Sequence, residues 1–121
     1  MTEIMIVDDS SFMRRVLRDI LTSEGYNIVA EAESGENAFL KYKKLNPDLV
    51  TMDLIMGGKS GIDSAREIVT YNKTAKIIMI SAMGQETQIE EAIQAGVKGF
   101  IVKPFKKEQI ISEVKRVLGL I

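Results

Sequence analysis

The 121-residue sequence predicts an α/β domain built from five βα units, (βα)5, with one doubly wound parallel sheet. Two features predict this fold. Short apolar runs alternate five times with longer stretches that carry the apolar period of a helix. The runs are almost continuously apolar, which is typical of parallel strands covered by helices on both faces. We expect the crossovers between these strands to be right-handed.

The predicted strands are the five apolar runs. They are short, as strands usually are, and a helical stretch follows each of them. In chain order they comprise residues 4–7, 28–30, 49–52, 77–80 and 100–102.

The predicted helices carry apolar residues at helical spacing. The first pattern is the clearest, because its apolar residues recur at i, i+3, i+4, i+7 and i+8: Met13, Val16, Leu17, Ile20 and Leu21. The later helices are marked by Ala38, Tyr42 and Leu45, by Ile68 and Val69, by Ile89, Ala92 and Ile93, and by Ile110, Val114, Val117 and Leu118. Gly25, Gly96 and Gly119 stand where glycines end helices.

Composition excludes several classes of function. Sixteen Lys and Arg against 17 Asp and Glu give a net charge of −1, without the basic excess of a nucleic-acid binder. The absence of Cys and His removes disulfides and the usual zinc ligands. We expect neither a signal peptide nor a membrane-spanning segment. We expect one domain over residues 1–121, monomeric and cytoplasmic, with no nucleic-acid or membrane partner.

Polar residues end four of the five predicted strands. Asp8 and Asp9 end the first, Asp53 the third, Ser81 the fourth and Lys103 the fifth. Open α/β sheets bind ligands at the carboxyl ends of strands, where the winding direction reverses. If the strand order is 2-1-3-4-5, the first and third strands are neighbours about 4.8 Å apart. The three carboxylates would then share one crevice, with the Ser and the Lys beside them.

The residue types in this crevice predict a phosphoryl-accepting site. Three close carboxylates repel one another unless a cation offsets their charge, and Mg²⁺ prefers oxygen ligands. Lys103 supplies a mobile positive charge and Ser81 a hydroxyl donor, both suited to phosphate. A carboxylate can itself act as a nucleophile and form an aspartyl phosphate.

With these residues in place, the sequence resembles the receiver domains of two-component response regulators, and chemotaxis regulators of the CheY type among them. The resemblance covers the whole chain. The motifs that carry the resemblance lie at residues 6–10 with 12–15, at 52–54 with Gly61, at 81–82, and at 103–105. It implies the flavodoxin-like strand order 2-1-3-4-5.

The resemblance also assigns roles at the metal and acceptor positions. Asp53 is implied to be the phosphoacceptor. Asp9 and Asp53 are implied to bind Mg²⁺ directly, together with the backbone carbonyl of Ile55, while Asp8 acts mainly through water.

Further roles fall on the fourth and fifth strands. Ser81 is implied to bind a phosphoryl oxygen and to move toward it, and Lys103 to pair with the acceptor or the phosphate. The Lys103–Pro104 peptide is implied to be cis. Phe100 takes the place of an aromatic switch residue, although it lacks the hydroxyl of the more familiar Tyr.

The implied function is that of a single-domain regulator with chemotaxis partners. A chemotaxis-type histidine kinase would donate the phosphoryl group. A flagellar or archaellar motor switch protein, or an adaptor, would receive the signal. The protein would be a self-catalysed acceptor with slow autodephosphorylation, not an enzyme. Alternatives are a phosphate sink or relay in another pathway, a phosphatase with an Asp nucleophile, and a flavodoxin-like electron carrier, although Asp8 and Asp9 would repel a flavin phosphate.

The loop after the third strand departs from the family pattern and contains a misleading motif. Gly57 stands where Pro is usual and Gly58 follows it, so we expect a flexible loop. The sequence Gly58-Lys59-Ser60 resembles the end of a nucleotide-binding P-loop, but Asp53 stands where that motif requires its first Gly. We therefore expect Ser60 to cap a helix.

Overall fold

The computed structural model describes residues 1–121, apart from the side chain of Glu86. Within these residues, five strands alternate with five α-helices. The strands are β1 (Glu3–Val7), β2 (Asn27–Ala32), β3 (Leu49–Asp53), β4 (Ile77–Ala82) and β5 (Gly99–Lys103). The helices are α1 (Ser11–Ser23), α2 (Gly35–Leu45), α3 (Gly61–Tyr71), α4 (Ile89–Gln94) and α5 (Lys107–Leu118).

The strands form one parallel sheet in the order β2-β1-β3-β4-β5, which confirms the predicted fold class and strand order. Val7 on β1 pairs with Met52 on β3, and Asp53 pairs with Ile80 on β4. The carboxyl ends of these strands therefore lie at one edge of the sheet.

The sheet separates two apolar cores, and alternate residues of each strand enter opposite cores because strand side chains alternate between faces. Met5 and Val7 of β1 pack with α2, α3 and α4. Ile4 and Ile6 of the same strand pack with α1 and α5. All four side chains are buried. Burial on both faces explains why the strands read as continuous apolar runs.

The helix ends follow local rules that the sequence shows only in part. A serine hydroxyl accepts a hydrogen bond from a backbone N–H of the first turn in α1, α2 and α3, at Ser10, Ser34 and Ser60. Gly25, Gly96 and Gly119 all have positive φ, as expected for glycines after helices. The residue that ends α2 was not predicted: Asn46 adopts a left-handed conformation with φ 47°.

The region around α4 differs most from a regular helix. A 3₁₀ turn at Glu86–Gln88 precedes α4, which has only six residues. Of the apolar residues that predicted this helix, Ala92 is buried but Ile93 is 55% exposed. No helix in the described part of the chain is long and apolar enough to span a membrane.

Candidate functional site

Three carboxylates meet at the carboxyl edge of the sheet. Asp8 and Asp9 directly follow β1, and Asp53 is the last residue of β3. One carboxylate oxygen from each lies within 4.8 Å of the others. Asp8 is 1% exposed and Asp53 is 8% exposed, whereas Asp9 is open to solvent. The structure thus brings together the three acids that the sequence placed in one crevice.

Asp8 is fixed in the loop by its own backbone and by one of its two oxygens. Its N–H donates to the carbonyl of Ala32 at 3.0 Å, and its Oδ1 accepts from the N–H of Ser10 at 2.9 Å. Its Oδ2 is buried and makes no hydrogen bond with any described residue. A buried carboxylate oxygen is costly without a partner, and a hard divalent cation is a suitable one. The donor set therefore fits such a cation.

Burial disfavours charge on both enclosed acids. Desolvation is the largest cause that raises the pKa of Asp53, to about 6, and the charge of Asp8 adds to it while Lys103 opposes it. The pKa of Asp8 is also raised, again chiefly by burial, against the opposing effects of the Ser10 N–H and Lys103. The site therefore holds more negative charge than its own residues offset.

Lys103 is the cation of the crevice. It ends β5, and its Nζ lies 3.4 Å from Asp53 Oδ1 and 3.8 Å from Asp8 Oδ2. The Lys103–Pro104 peptide bond is cis, the isomer that the family resemblance implies. One flexible ammonium group thus contacts both buried acids and can follow a change of charge at either.

Ser81 supplies an unpaired hydroxyl beside the crevice. It lies on β4 one residue beyond Ile80, the register partner of Asp53. Its side chain is buried, and its Oγ makes no hydrogen bond within the described part of the chain. The next backbone N–H, that of Ala82, donates to Gln85 Oε1 at 2.7 Å. The contact to Gln85 is one that the sequence did not predict.

Gly61 allows the loop after β3 to fold back on Asp53. Its N–H donates to the carbonyl of Leu54 at 2.9 Å, and a Cβ at this position would lie 2.2 Å from the carbonyl oxygen of Asp53. Only glycine fits this approach without displacement of the backbone. Ile55, whose backbone carbonyl is an expected metal ligand, lies two residues after Asp53, and its side chain is 54% exposed.

The P-loop-like motif Gly58-Lys59-Ser60 serves local structural roles. Ser60 accepts the hydrogen bond that begins α3, as expected, and Lys59 Nζ lies 2.7 Å from Glu67 Oε1. Gly58 has positive φ, at +81°. These contacts explain the motif through helix capping and an ion pair, without a bound nucleotide.

Phe100 lies on β5, near Ser81 of β4. It is half-buried on β5 and packs against the core formed with α2, α3 and α4. Phe100 and Ser81 line the same narrow gap, together with Leu54 of the β3–α3 loop and Ile89 of α4. Ser81 and Phe100 thus border a shared gap between β4, β5 and α4.

The chain is similar to known proteins over nearly its whole length. The response regulator receiver domain family matches residues 4–115. The chemotaxis protein CheY of Thermotoga maritima is 48% identical over 114 residues, which are 94% of this chain and 95% of that protein. CheY of Bacillus subtilis is 49% identical over 116 residues, 96% of this chain and 97% of that protein. A chain in the CheX–CheY–BeF3–Mg²⁺ complex from Borrelia burgdorferi has a TM-score of 0.91 at 41% identity, with coverage of 96% and 88%.

Proposed function

This chain belongs to the response regulator receiver domain family, and on that premise we propose that it accepts a phosphoryl group on Asp53 in a chemotaxis system. The observation that carries the proposal is the setting of the Asp53 carboxylate. It is nearly buried, lies within 4.8 Å of two further acids and is 3.4 Å from the Lys103 ammonium. This arrangement is that of a nucleophile among groups that bind a cation and a phosphate.

The reaction is the transfer of a phosphoryl group from a phosphohistidine to a carboxylate oxygen of Asp53. A bond forms between that oxygen and phosphorus, the bond between phosphorus and the imidazole nitrogen breaks, and the imidazole leaves with the electron pair. With a pKa of about 6, Asp53 is mostly ionised at neutral pH and able to attack. Mg²⁺ bound by Asp9, Asp53 and the carbonyl of Ile55, with Asp8 acting through water, would offset the charge of the phosphoryl oxygens.

Two side chains of the crevice are suited to hold the transferred group. Lys103 is already within 4.0 Å of both buried acids and can pair with a phosphoryl oxygen. Ser81 has a buried hydroxyl without a hydrogen bond, and a phosphoryl oxygen would satisfy it.

The protein acts as a stoichiometric acceptor in the cytoplasm and loses its phosphoryl group slowly to water. Its donor is a chemotaxis-type histidine kinase, and its target is a motor switch protein or an adaptor. The similarity to two CheY proteins supports a chemotaxis partner. The Borrelia burgdorferi complex, which contains Mg²⁺, supports magnesium as the metal.

The metal requirement gives a direct test of this proposal. Incubation with acetyl phosphate and Mg²⁺ should add a phosphoryl group, detected by intact mass, and EDTA should stop the reaction until Mg²⁺ is restored. Asp9→Ala should also stop it, whereas Asp19→Ala, at an exposed acid of α1, should not. Labelling in EDTA at the normal rate would show that no metal takes part.

A further inference from the structure

Arg14 of α1 reaches back to the loop that carries the acidic pair. Its Nη1 donates a hydrogen bond to the backbone carbonyl of Asp8 at 2.6 Å. Its Nε donates to Glu31 Oε1 at 3.2 Å, and the Arg14 side chain is only 17% exposed. The guanidinium group therefore joins the acidic loop to β2, the strand that carries Glu31.

Glu31, which accepts from Arg14, is itself held by its place in the sheet and by a second ion pair. It lies within β2, where it pairs in register with Ile6 of β1. Its second carboxylate oxygen lies 3.1 Å from Arg18 Nη1, so both oxygens are engaged. Arg14 is thus held on one side by a strand of the sheet, and its Nη1 donates to the carbonyl of Asp8.

The hydrogen-bonded carbonyl of Asp8 sets the backbone orientation of Asp9. The carbonyl of Asp8 and the N–H of Asp9 belong to the same planar peptide unit, so a hydrogen bond to that oxygen orients the backbone from which Asp9 projects. Asp9 is exposed and has no hydrogen bond of its own among the described residues. Its placement therefore depends on the backbone that Arg14 holds.

We propose that Arg14 is a positioning residue, which holds the Asp8–Asp9 peptide in the orientation that lets both carboxylates serve a divalent cation. This inference rests on the proposed function, because it concerns the metal at the same crevice. Arg14 acts through the peptide and does not contact the cation.

The direction in which Mg²⁺ affinity changes when Arg14 is removed distinguishes positioning from simple electrostatics. A positive side chain near a cation site repels the cation, so its removal should tighten Mg²⁺ binding if charge alone matters. If Arg14 holds the ligands in place, its removal should weaken binding, roughly tenfold for the loss of a residue that orients ligands.

Mg²⁺ titration of isotopically labelled, unphosphorylated protein, followed by NMR, tests the inference. Arg14→Met should raise the Kd for Mg²⁺ roughly tenfold. Arg18→Met is the matched control, because Arg18 binds the same Glu31 and has no bond to Asp8. Its Kd should stay the same or fall slightly. Glu31→Gln keeps a hydrogen-bond acceptor for Arg14, so it should show a smaller rise than Arg14→Met.

Two further readouts distinguish positioning from a general loss of structure. Without metal, the amide of Ser10, which donates to Asp8 Oδ1, should exchange faster in Arg14→Met than in wild type. In phosphorylation by acetyl phosphate, the Mg²⁺ concentration for half-maximal rate should rise while the rate at saturating Mg²⁺ is retained. Arg14→Lys, which can still donate to the Asp8 carbonyl, should restore part of the affinity.

Mg²⁺ binding by Arg14→Met that equals or exceeds wild type would overturn the inference and leave the proposed function intact. An equal loss in Arg18→Met would also overturn it, because the effect would then belong to Glu31 or to charge. If wild type itself binds no Mg²⁺, the metal in the proposed function fails and this inference with it. If Arg14→Met does not fold, Glu31→Gln takes its place in the test. An unchanged Kd for Mg²⁺ together with unchanged amide exchange in Glu31→Gln would then contradict the inference.

Discussion

At the scale of single residues, the environment of Asp53 opposes the charge that the proposed reaction requires. Burial and the charge of Asp8 raise its pKa from 3.8 to about 6, against the effect of Lys103. Because the folded pKa exceeds the unfolded one, the protonated form contributes stability that is fully present below about pH 4. This contribution is lost as the pH rises through about 6. The ionised Asp53 carboxylate therefore lowers the stability of the metal-free protein at neutral pH.

Asp53→Asn should consequently stabilise the metal-free protein at neutral pH. The neutral amide has nearly the shape of the carboxylate and avoids the unfavourable charge, so the gain should be about 1–3 kcal/mol at pH 7 in EDTA. The gain should disappear below about pH 4, where Asp53 is itself neutral in both states. Urea unfolding of both proteins across this pH range measures the difference. A wild type more stable than the variant at pH 7 would contradict this explanation.

Ile55 should control how long the phosphoryl group persists. Ile55 and Met83 are exposed apolar side chains that follow β3 and β4, where we expect them to hinder the attacking water. Ile55→Asn and Ile55→Glu should change the rate of dephosphorylation, with a change in unfolding free energy within about 0.5 kcal/mol. Leu40→Asn, at an exposed apolar residue of α2, is the control. Identical decay in wild type and both Ile55 variants would remove this role.

The sequence identified residues of the site but not the contacts between them. Asp8, Asp53 and Lys103 could be placed together because each ends a strand of one parallel sheet. The bonds of Arg14 and Gln85 could not be predicted, because each depends on the side-chain conformation and on the path of a loop. Both residues stand near predicted site residues in the sequence, but proximity alone does not give a hydrogen-bond partner.

At the scale of elements, the burial of a strand or helix determines how closely its predicted ends match the observed ones. The central strand β3 is buried along its whole length, and its apolar run marks it to within a residue. At the sheet edge, β2 continues past its apolar run through the polar Glu31 to Ala32, because a half-exposed strand does not need apolar residues throughout. The end of α2 at Asn46 and the 3₁₀ turn before α4 depend on local backbone geometry that no apolar pattern marks.

Phosphorylation should change the elements that leave the crevice through Ser81 and Lys103. The group adds about −1.5 to −2 charges, and these two residues lie at the carboxyl ends of the strands that lead to α4 and α5, Ser81 one residue before the end of β4. A nearly complete shift between two states needs roughly 5.5 kcal/mol of differential interaction. A few charge-assisted hydrogen bonds of about 1.5–3 kcal/mol each can supply it.

NMR of the phosphorylated protein tests this coupling. Chemical shifts around Ser81, Phe100 and Lys103 should change far more than those of α1 and α2, because Phe100 and Ser81 line one gap. Ser81→Ala should still be phosphorylated but should show a smaller change at Phe100. A full response of Phe100 in Ser81→Ala would mean that the charge reaches β5 by another route.

At the scale of the whole molecule, the site exists because the topology brings distant strand ends together. Its residues lie at or just after the carboxyl ends of β1, β3, β4 and β5. Asp8 and Lys103 are far apart in the chain, but Asp8 Oδ2 and Lys103 Nζ are 3.8 Å apart in space. Periodicity predicted the five βα units, but it does not determine strand order, because any buried strand can occupy the centre of a sheet. The order came from the family resemblance, and the structure confirms it.

The most direct test of the account is to locate the phosphoryl group after reaction with acetyl phosphate or phosphoramidate in the presence of Mg²⁺. Wild type should gain a single phosphoryl group per chain, and peptide mapping by mass spectrometry should place it on Asp53. Asp53→Asn, verified as folded by circular dichroism, should gain none. Undiminished labelling of Asp53→Asn, or a wild-type label mapped to another residue, would contradict the central claim that Asp53 is the phosphoacceptor.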